Sequence, residues 1–180
     1  MNQADVQPGM MNMERTMALS LRQSLGLISD PGNLDASVEE VFRLMLGTQC
    51  ERVDDRASGT TEAEESVTGV VGFGGALSGA CVFRCDALSA TRVAERMTGL
   101  EFKKIDNTVK DAIGELCNVL AGTWKGRVPD LAAHSGLSVP AVITGRDYRL
   151  HVQAPEFQLH QDYRFEDASF SVTIICDGLK

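Results

Sequence analysis

The sequence predicts an α+β fold, in which helices pack against a largely antiparallel sheet. Stretches with apolar residues three or four apart indicate amphipathic helices, and residues 170–176 alternate apolar and polar side chains as a half-buried strand does. The predicted strands follow one another through short turns, whereas parallel strands need long crossover connections. The predicted order is one helix, two strands, two helices and then three or four strands.

Residues 1–34 are predicted to form an N-terminal extension, and residues 35–180 the main domain. In the extension, apolar residues recur at helical spacing, and residues 30–33 (Asp-Pro-Gly-Asn) are predicted to end this helix as a turn. The apolar stripe consists of Met17, Leu21, Leu25 and Ile28. Two interpretations stay open: an accessory helix docked on the domain, or a methionine-lined helix that binds a partner.

Three further elements precede the centre of the chain. Ser37 and Glu40 offer a capping box for a first helix of the domain. Residues 51–66 are polar and rich in acids, which indicates a loop or a poorly covered edge. Residues 67–73 and 79–85 are predicted strands joined by a glycine-containing turn. Because no Gly-Lys-Ser/Thr follows these glycines, a hairpin is favoured over a phosphate-binding loop.

Five elements are predicted around and after the centre, besides the central helix described below. Residues 86–99 form a helix that an Asp caps and a Gly ends. Residues 137–144 form a strand, and residues 148–152 are a candidate partner for it. Residues 157–165 and 170–176 form a closing hairpin around a Glu-Asp-Ala turn.

The composition excludes several classes of function. The 180 residues are 43% hydrophobic and 23% charged, with a net charge of −8. Nucleic acid and anionic membrane surfaces both require a basic patch, so we expect neither as a partner. No stretch has the apolar length of a membrane span, and the N-terminus lacks the pattern of a secretory signal. We therefore expect a cytoplasmic protein.

The cysteines and histidines do not indicate a metal site. None of the five cysteines forms a C-x-x-C pair, and the three histidines are not grouped at metal-ligand spacing. Buried, reduced thiols are the favoured interpretation.

The clearest helix in the sequence spans residues 106–127. Five apolar residues recur three or four positions apart and form one stripe: Val109, Ile113, Leu116, Leu120 and Trp124. At about 100° per residue, five others fall within an arc of about 80° on the opposite side: Asp111, Glu115, Asn118, Gly122 and Lys125. Thr108 with Asp111 offers a capping box, and Pro129 supplies a stop. Acids, a carboxamide and a glycine on an outer helix face indicate a contact surface.

The pattern Asp111-x3-Glu115-x2-Asn118, with Pro140 downstream, resembles the signature helix of the CheC/CheX/FliY phosphatases. Residues 138–145 also resemble the strand that follows this helix in CheX-type members. The fold that the resemblance implies is the same α+β class, with a CheX-like arrangement.

The resemblance extends over roughly residues 35–178 and is closest to CheX-type members. Some relatives carry a second catalytic motif on their first helix. In this chain the corresponding frame, which begins at Ser37, meets Val41 and Leu44. One motif is the CheX pattern, whereas CheC carries two.

The resemblance implies a phosphatase that acts on a phosphorylated receiver domain such as CheY. The receiver supplies the aspartyl phosphate, a bound Mg²⁺ and a lysine, so no cofactor is expected on this chain. By the resemblance, Asn118 holds the attacking water in line, and Glu115 pairs with the receiver's lysine. Asp111, Gly122 and Lys125 are expected to contact the partner.

Two other chemistries are less favoured. A nucleophilic mechanism would need Cys117 with a base, but no histidine lies near it in the sequence, and the helical count turns its thiol to the flank. Asp111 and Glu115 lie one turn apart, as paired acids of a glycosidase would, but a convex helix offers a sugar no cleft. Two non-catalytic alternatives stay open: a module that binds the receiver without turnover, and a scaffold of the motility apparatus.

CheX relatives form dimers through their sheets, so the resemblance also implies a homodimer. Residues 170–176 contain no proline and little charge, and we expect them to offer an unpaired sheet edge to a second copy. The N-terminal helix could instead cover this edge and keep the protein monomeric.

Overall fold

The computed structural model of the protein describes residues 26–53, 65–75, 77–146, 148, 150 and 155–179. The helices are α1 (Pro31–Val41), α2 (Ala87–Thr98), α3 (Asn107–Gly126) and α4 (Pro129–His134), and a π-helical segment (Phe42–Leu46) continues α1. The strands are β1 (Glu51–Val53), β2 (Ser66–Gly75), β3 (Leu77–Asp86), β4 (Ser135–Leu137), β5 (Ala141–Gly145), β6 (Phe157–Phe165) and β7 (Ala168–Leu179). No helix of the described part is long and apolar enough to span a bilayer.

The seven strands of the described residues form one sheet, and every pairing in it is antiparallel. The order across the sheet is β1, β6, β7, β3 and β2, and the other edge of β2 pairs with both β4 and β5. The pairs β2–β3 and β6–β7 are hairpins, as their short connections predict. The predicted α+β class with a largely antiparallel sheet is confirmed.

Strand β7 lies in the middle of the sheet. Phe170, for example, is opposite Tyr163 of β6 on one side and Cys85 of β3 on the other. The expectation that residues 170–176 offer an unpaired edge is therefore wrong. Alternating apolar residues indicate which face of a strand is buried, but they do not indicate whether its backbone edges are paired.

Helix α1 begins earlier than the sequence analysis predicts. Asp30 is its N-cap and accepts a hydrogen bond from the Gly32 N–H (2.9 Å), and Pro31 occupies the first turn. The predicted capping box at Ser37 is wrong, because Ser37 is buried within the helix and its Oγ donates to the Asn33 carbonyl (2.8 Å). The Asp-Pro-Gly-Asn stretch therefore starts α1, and the helical residues 26–28 end just before it, as the sequence predicts.

The predicted boundary between residues 34 and 35 falls inside α1. Leu34 and Ile28 are both buried members of the main hydrophobic core. Met17, Leu21 and Leu25 of the predicted stripe lie outside the described residues. The division into an extension and a domain stays a prediction.

Two other segments differ from their predictions in detail. Residues 51–53 form a short strand that, among the described strands, pairs with β6 alone, so this part of the acid-rich segment is an edge. The predicted strand at 137–144 is split into β4 and β5 around Pro140, whose missing N–H cannot join a strand ladder. Tyr148 is not in a strand, and residues 149, 151 and 152 lie outside the described part.

The core lies between the sheet and the helices on one of its faces. Phe42 of the π-helical segment stacks on Phe170 of β7 with ring centroids 4.5 Å apart, and Phe170 also stacks on Phe83 of β3 at 5.1 Å. Helix α3 packs on the same face of the sheet, over β2, with α1 and α2 beside it. Its opposite side is therefore left for solvent or a partner.

Candidate active site on helix α3

The ends of helix α3 are set by local sequence. Asp106 is the N-cap, and its Oδ1 accepts a hydrogen bond from the Val109 N–H at 3.0 Å. The predicted capping box of Thr108 and Asp111 is wrong, because the capping aspartate comes earlier and Thr108 is already helical. At the other end, Pro129 starts α4, so the predicted stop is confirmed.

The inner face of α3 is fixed tightly to β2. All five residues of the predicted apolar stripe are fully buried. A Cβ added to Gly69 of β2 would lie 3.0 Å from the Cβ of Cys117, so a glycine is what lets the helix come this close. Further along, Trp124 packs against Phe73 with ring centroids 5.7 Å apart. A helix held in this way presents its outer face in a fixed orientation.

The outer face carries side chains that the fold itself does not use. Asp111 and Glu115 are exposed, and Asn118 is half-buried. Within the described part of the chain, none of these three side chains makes a hydrogen bond or an ion pair. The carboxylates and the carboxamide are therefore available to a partner without breaking an internal contact.

Lys125, at the end of the same face, differs from the other predicted residues. Its ammonium donates hydrogen bonds to the backbone carbonyls of Ser135 (2.5 Å) and Ala132 (3.3 Å). These contacts tie α3 to α4 and β4 and partly satisfy carbonyl groups at the end of α4. Partner binding by Lys125 stays a prediction, but the contacts support a structural role.

One flank of α3 lies against β4, β5 and the loop between them. A Cβ added to Gly114 would lie 3.4 Å from Val142 and 3.7 Å from Pro140, so this glycine lets β5 approach the helix. At Gly122 an added Cβ would have Leu137 as its only described neighbour within 4 Å, at 3.8 Å. Internal packing therefore does not require a glycine at residue 122, which leaves its predicted role in partner contact open.

The loop between β4 and β5 is fixed to the sheet through Ser138. The Ser138 N–H donates to the Gly72 carbonyl (2.8 Å), and the Ser138 Oγ accepts from the Gly72 N–H (2.9 Å). The same hydroxyl donates to the Val139 carbonyl (3.0 Å). The sequence predicts residue 138 within a continuous strand, so the pattern gives no sign of this loop.

The alternative chemistries gain no support from the geometry. Cys117 is fully buried, and its thiol donates to the Cys81 carbonyl at 3.7 Å. A side-chain hydrogen bond with the Cys117 thiol, followed by burial, raises the pKa of the Cys81 thiol well above its ordinary value. Asp111 and Glu115 project from the exposed side of a helix. Among the described residues, His, Cys, Asp and Glu form no group of three or more that could hold a metal ion.

A family model for the chemotaxis phosphatase CheX matches residues 67–164. The match covers more than half of the chain and includes the whole of α3. The chain belongs to the CheX family. Among curated proteins, the CheY-P phosphatase CheX of Thermotoga maritima is 29% identical to this chain over 118 residues, which are 65% of this chain and 76% of that protein.

Solved structures share the fold of this CheX-family chain. The chemotaxis protein CheX of Vibrio vulnificus superposes with a TM-score of 0.69 at 18% identity, covering 81% of this chain and 95% of that one. The CheX chain of a CheX–CheY–BeF3–Mg²⁺ complex from Borrelia burgdorferi gives a TM-score of 0.61 at 18% identity, covering 82% and 97%. At these identities the similarity establishes the arrangement of helices and strands.

Proposed function

We propose that this CheX-family protein is a phosphatase that hydrolyses the aspartyl phosphate of a CheY-like receiver domain in chemotaxis or related two-component signalling. The observation that carries the proposal is the outer face of α3, where Glu115 and Asn118 are one turn apart and make no hydrogen bond or ion pair with any described residue. The named activity of the Thermotoga maritima relative supports it.

In the proposed mechanism Asn118 enters the active site of the receiver and holds the attacking water in line with the phosphorus–oxygen bond that breaks. Its carboxamide oxygen accepts a proton of the water, and its amide group donates to a neighbouring oxygen, without adding charge beside the phosphate. Phosphoryl transfer to water depends mainly on position and on stabilisation of charge. One well-placed side chain is therefore enough for catalysis by a protein that docks on the site.

The other groups of the reaction come from the receiver. It supplies the aspartyl phosphate, a lysine and the Mg²⁺ ion, which is also named in the Borrelia burgdorferi complex. Glu115 pairs with the lysine and so sets the position of the helix on the receiver. Asp111 and Gly122 contact the partner on either side of this pair, and Lys125 contacts it at the end of the face.

The deciding experiment is a phosphate-decay assay. The receiver is phosphorylated, and the loss of phosphate is followed with and without the full chain, in the presence of Mg²⁺. We expect faster decay that increases with the protein concentration and saturates. An unchanged decay rate together with measurable binding to the phosphorylated receiver would instead indicate a binding or scaffold module, and would contradict catalysis.

We also propose that the protein acts in the cytoplasm. All five cysteines are free and buried. Burial raises the pKa of the Cys50 and Cys176 thiols to about 12, which keeps them protonated and unreactive. Reduced cysteines of this kind are typical of a reducing compartment.

A homodimer, as the resemblance to CheX implies, completes the proposal. Because residues 170–176 are paired on both sides, a dimer that extends the sheet would have to use another edge, such as β1, β4 or β5. Each of these strands pairs with only one neighbour among the described residues. Light scattering should give twice the mass of the 19.4 kDa chain, and a monomer would contradict this part.

A further inference from the structure

Val139, in the loop between β4 and β5, is the most exposed large apolar side chain among the described residues. It is 87% exposed, whereas the next, Leu44, is 64% exposed. A single exposed apolar residue is ordinary on a protein surface. The position of Val139 and the rigidity of its backbone distinguish it.

The loop runs beside the turn of α3 that carries Asn118. Leu137 lies next to Gly122, and Pro140 lies next to Gly114, as their distances from an added Cβ show. Asn118 is four residues from each of these glycines and therefore lies between them on the same ridge of the helix. The loop segment between Leu137 and Pro140, which includes Val139, consequently flanks Asn118.

The backbone of this segment is held in place before any partner arrives. The two hydrogen bonds between Ser138 and Gly72 fix it to β2, and a proline follows Val139, which restricts Val139 to extended conformations. With Ser138 bound to β2, the side chain of Val139 extends into solvent. An apolar group fixed in this way loses little conformational entropy when a partner covers it.

We propose that Val139 is an apolar docking contact for the phosphorylated receiver and seats against an apolar patch beside its aspartyl phosphate. This inference rests on the proposed function and adds a residue to its binding surface. The occupant is the receiver because Val139 is continuous with the flank of α3 that carries Asn118. A partner whose phosphate reaches Asn118 must also approach Val139. The contact adds apolar area to the binding surface around Asn118 and so contributes to affinity.

The test compares the full chain with Val139→Ser and Val139→Ile. We expect Val139→Ser to raise the KM for the phosphorylated receiver, and the Kd for a beryllofluoride-loaded receiver, about 10-fold with kcat within about 2-fold. Val139→Ile keeps an apolar side chain and should bind like the wild type. Both variants should unfold at the temperature of the wild type, since the side chain contacts little within the protein.

Leu88→Ser provides the matched control for removing an exposed apolar side chain. Leu88 is 51% exposed on α2, two residues after Asp86. Asp86 is opposite Ser66, six residues along β2 from Gly72, which is roughly 20 Å. Leu88→Ser should therefore leave KM, Kd and kcat unchanged.

The outcomes separate this inference from the proposed function. Unchanged KM and Kd in Val139→Ser, with phosphatase activity in the wild type, would overturn the docking contact alone. If Val139→Ser binds the beryllofluoride-loaded receiver more weakly than the wild type does, but the wild type does not accelerate phosphate decay, catalysis is overturned and the contact is supported. A lower mass of Val139→Ser in light scattering at unchanged KM would assign the side chain to a second copy of this chain and overturn the inference. A wild type that neither binds nor acts would overturn both proposals.

Discussion

Helices α2 and α3 lie beside each other on the sheet, but their charged side chains have different surroundings. On α2, Arg92 pairs with Glu95 (2.9 Å) and with Asp167 in the turn between β6 and β7 (3.4 Å). Arg96 pairs with Glu166 in the same turn. On α3, the acids of the outer face have no partner in the described part of the chain.

The comparison separates charges that hold the fold together from charges available for binding. The ion pairs of α2 connect the helix to the closing hairpin, although exposed pairs of this kind each contribute only about 0–1 kcal/mol. The acids on the outer face of α3 are exposed and make no such connection to any residue that the structure describes. Substitutions on the outer face of α3 should therefore lower the phosphatase activity and leave the free energy of unfolding unchanged. Substitutions in the ion pairs of α2 should lower the free energy of unfolding and leave the activity unchanged.

The largest effect is expected for Asn118→Ala. Losing one preorganised polar group should lower the rate of the chemical step on the order of 100- to 1,000-fold, while binding to the receiver survives. Because the Asn118 side chain makes no hydrogen bond to the residues that the structure describes, and alanine favours helices, the temperature of unfolding should not fall. Single-turnover decay with saturating phosphatase measures the first effect, and thermal unfolding the second.

Asn118→Asp is the matched variant for this prediction. It keeps the shape of the side chain but places a negative charge beside the phosphate, so it should lose activity as well. Full activity of Asn118→Ala in single-turnover decay would show that another group positions the water.

A smaller effect is expected for Glu115→Ala. An ion pair with the receiver's lysine contributes to binding in both the ground state and the transition state, so its loss should weaken association about 10- to 100-fold with a smaller change in the maximal rate. Titration of the receiver with the variant measures the affinity, and the decay rate at saturation measures the maximal rate.

Glu101→Ala is a control for removing a negative charge from the surface, because Glu101 is exposed and lies before α3, outside its outer face. It should leave the affinity unchanged. If Glu115→Ala retained the wild-type affinity but lost its maximal rate, Glu115 would belong to the chemical step.

The sequence predicted those features of the site that depend on one helix. The spacing of Val109, Ile113 and Leu116 determines which side of α3 is buried, and this fixed the opposite face that carries Glu115 and Asn118. Helical periodicity is a local property, so it could be recognised without any knowledge of the neighbours in space.

Features that depend on contacts between distant segments were not predicted. The loop at Val139 lies beside Asn118 only because β4 and β5 both pair with β2, a pairing that the local pattern does not specify. The central position of β7 was missed for the same reason. The predicted caps of α1 and α3 are wrong because several polar residues near each start are able to cap, and Asp30 and Asp106 do so ahead of Ser37 and Thr108.

The smallest effect concerns Glu95 of α2 and depends on pH. The Phe102 N–H donates to its carboxylate (3.2 Å), and Arg92 pairs with it; these contacts hold the pKa of Glu95 below its ordinary value of 4.5. A pKa that is lowered in the folded state stabilises the protein at pH values above the pKa of the unfolded state. This stability is lost as the pH falls through the pKa of the folded state. Glu95→Gln should therefore lower the free energy of unfolding by less than about 1 kcal/mol at pH 7.

At pH 3, below the unfolded value of 4.5, the difference between Glu95→Gln and the wild type should be smaller, because the carboxyl group of the unfolded chain is largely protonated there and the lowered pKa adds less stability. Denaturant unfolding at both pH values measures the change, and phosphatase activity at pH 7 should be unaffected. Glu101→Gln should change stability at neither pH, since Glu101 makes no ion pair or hydrogen bond in the described part of the chain. An equal loss of stability from Glu95→Gln at pH 7 and pH 3 would show that the shape of the side chain, and not its charge, supports α2.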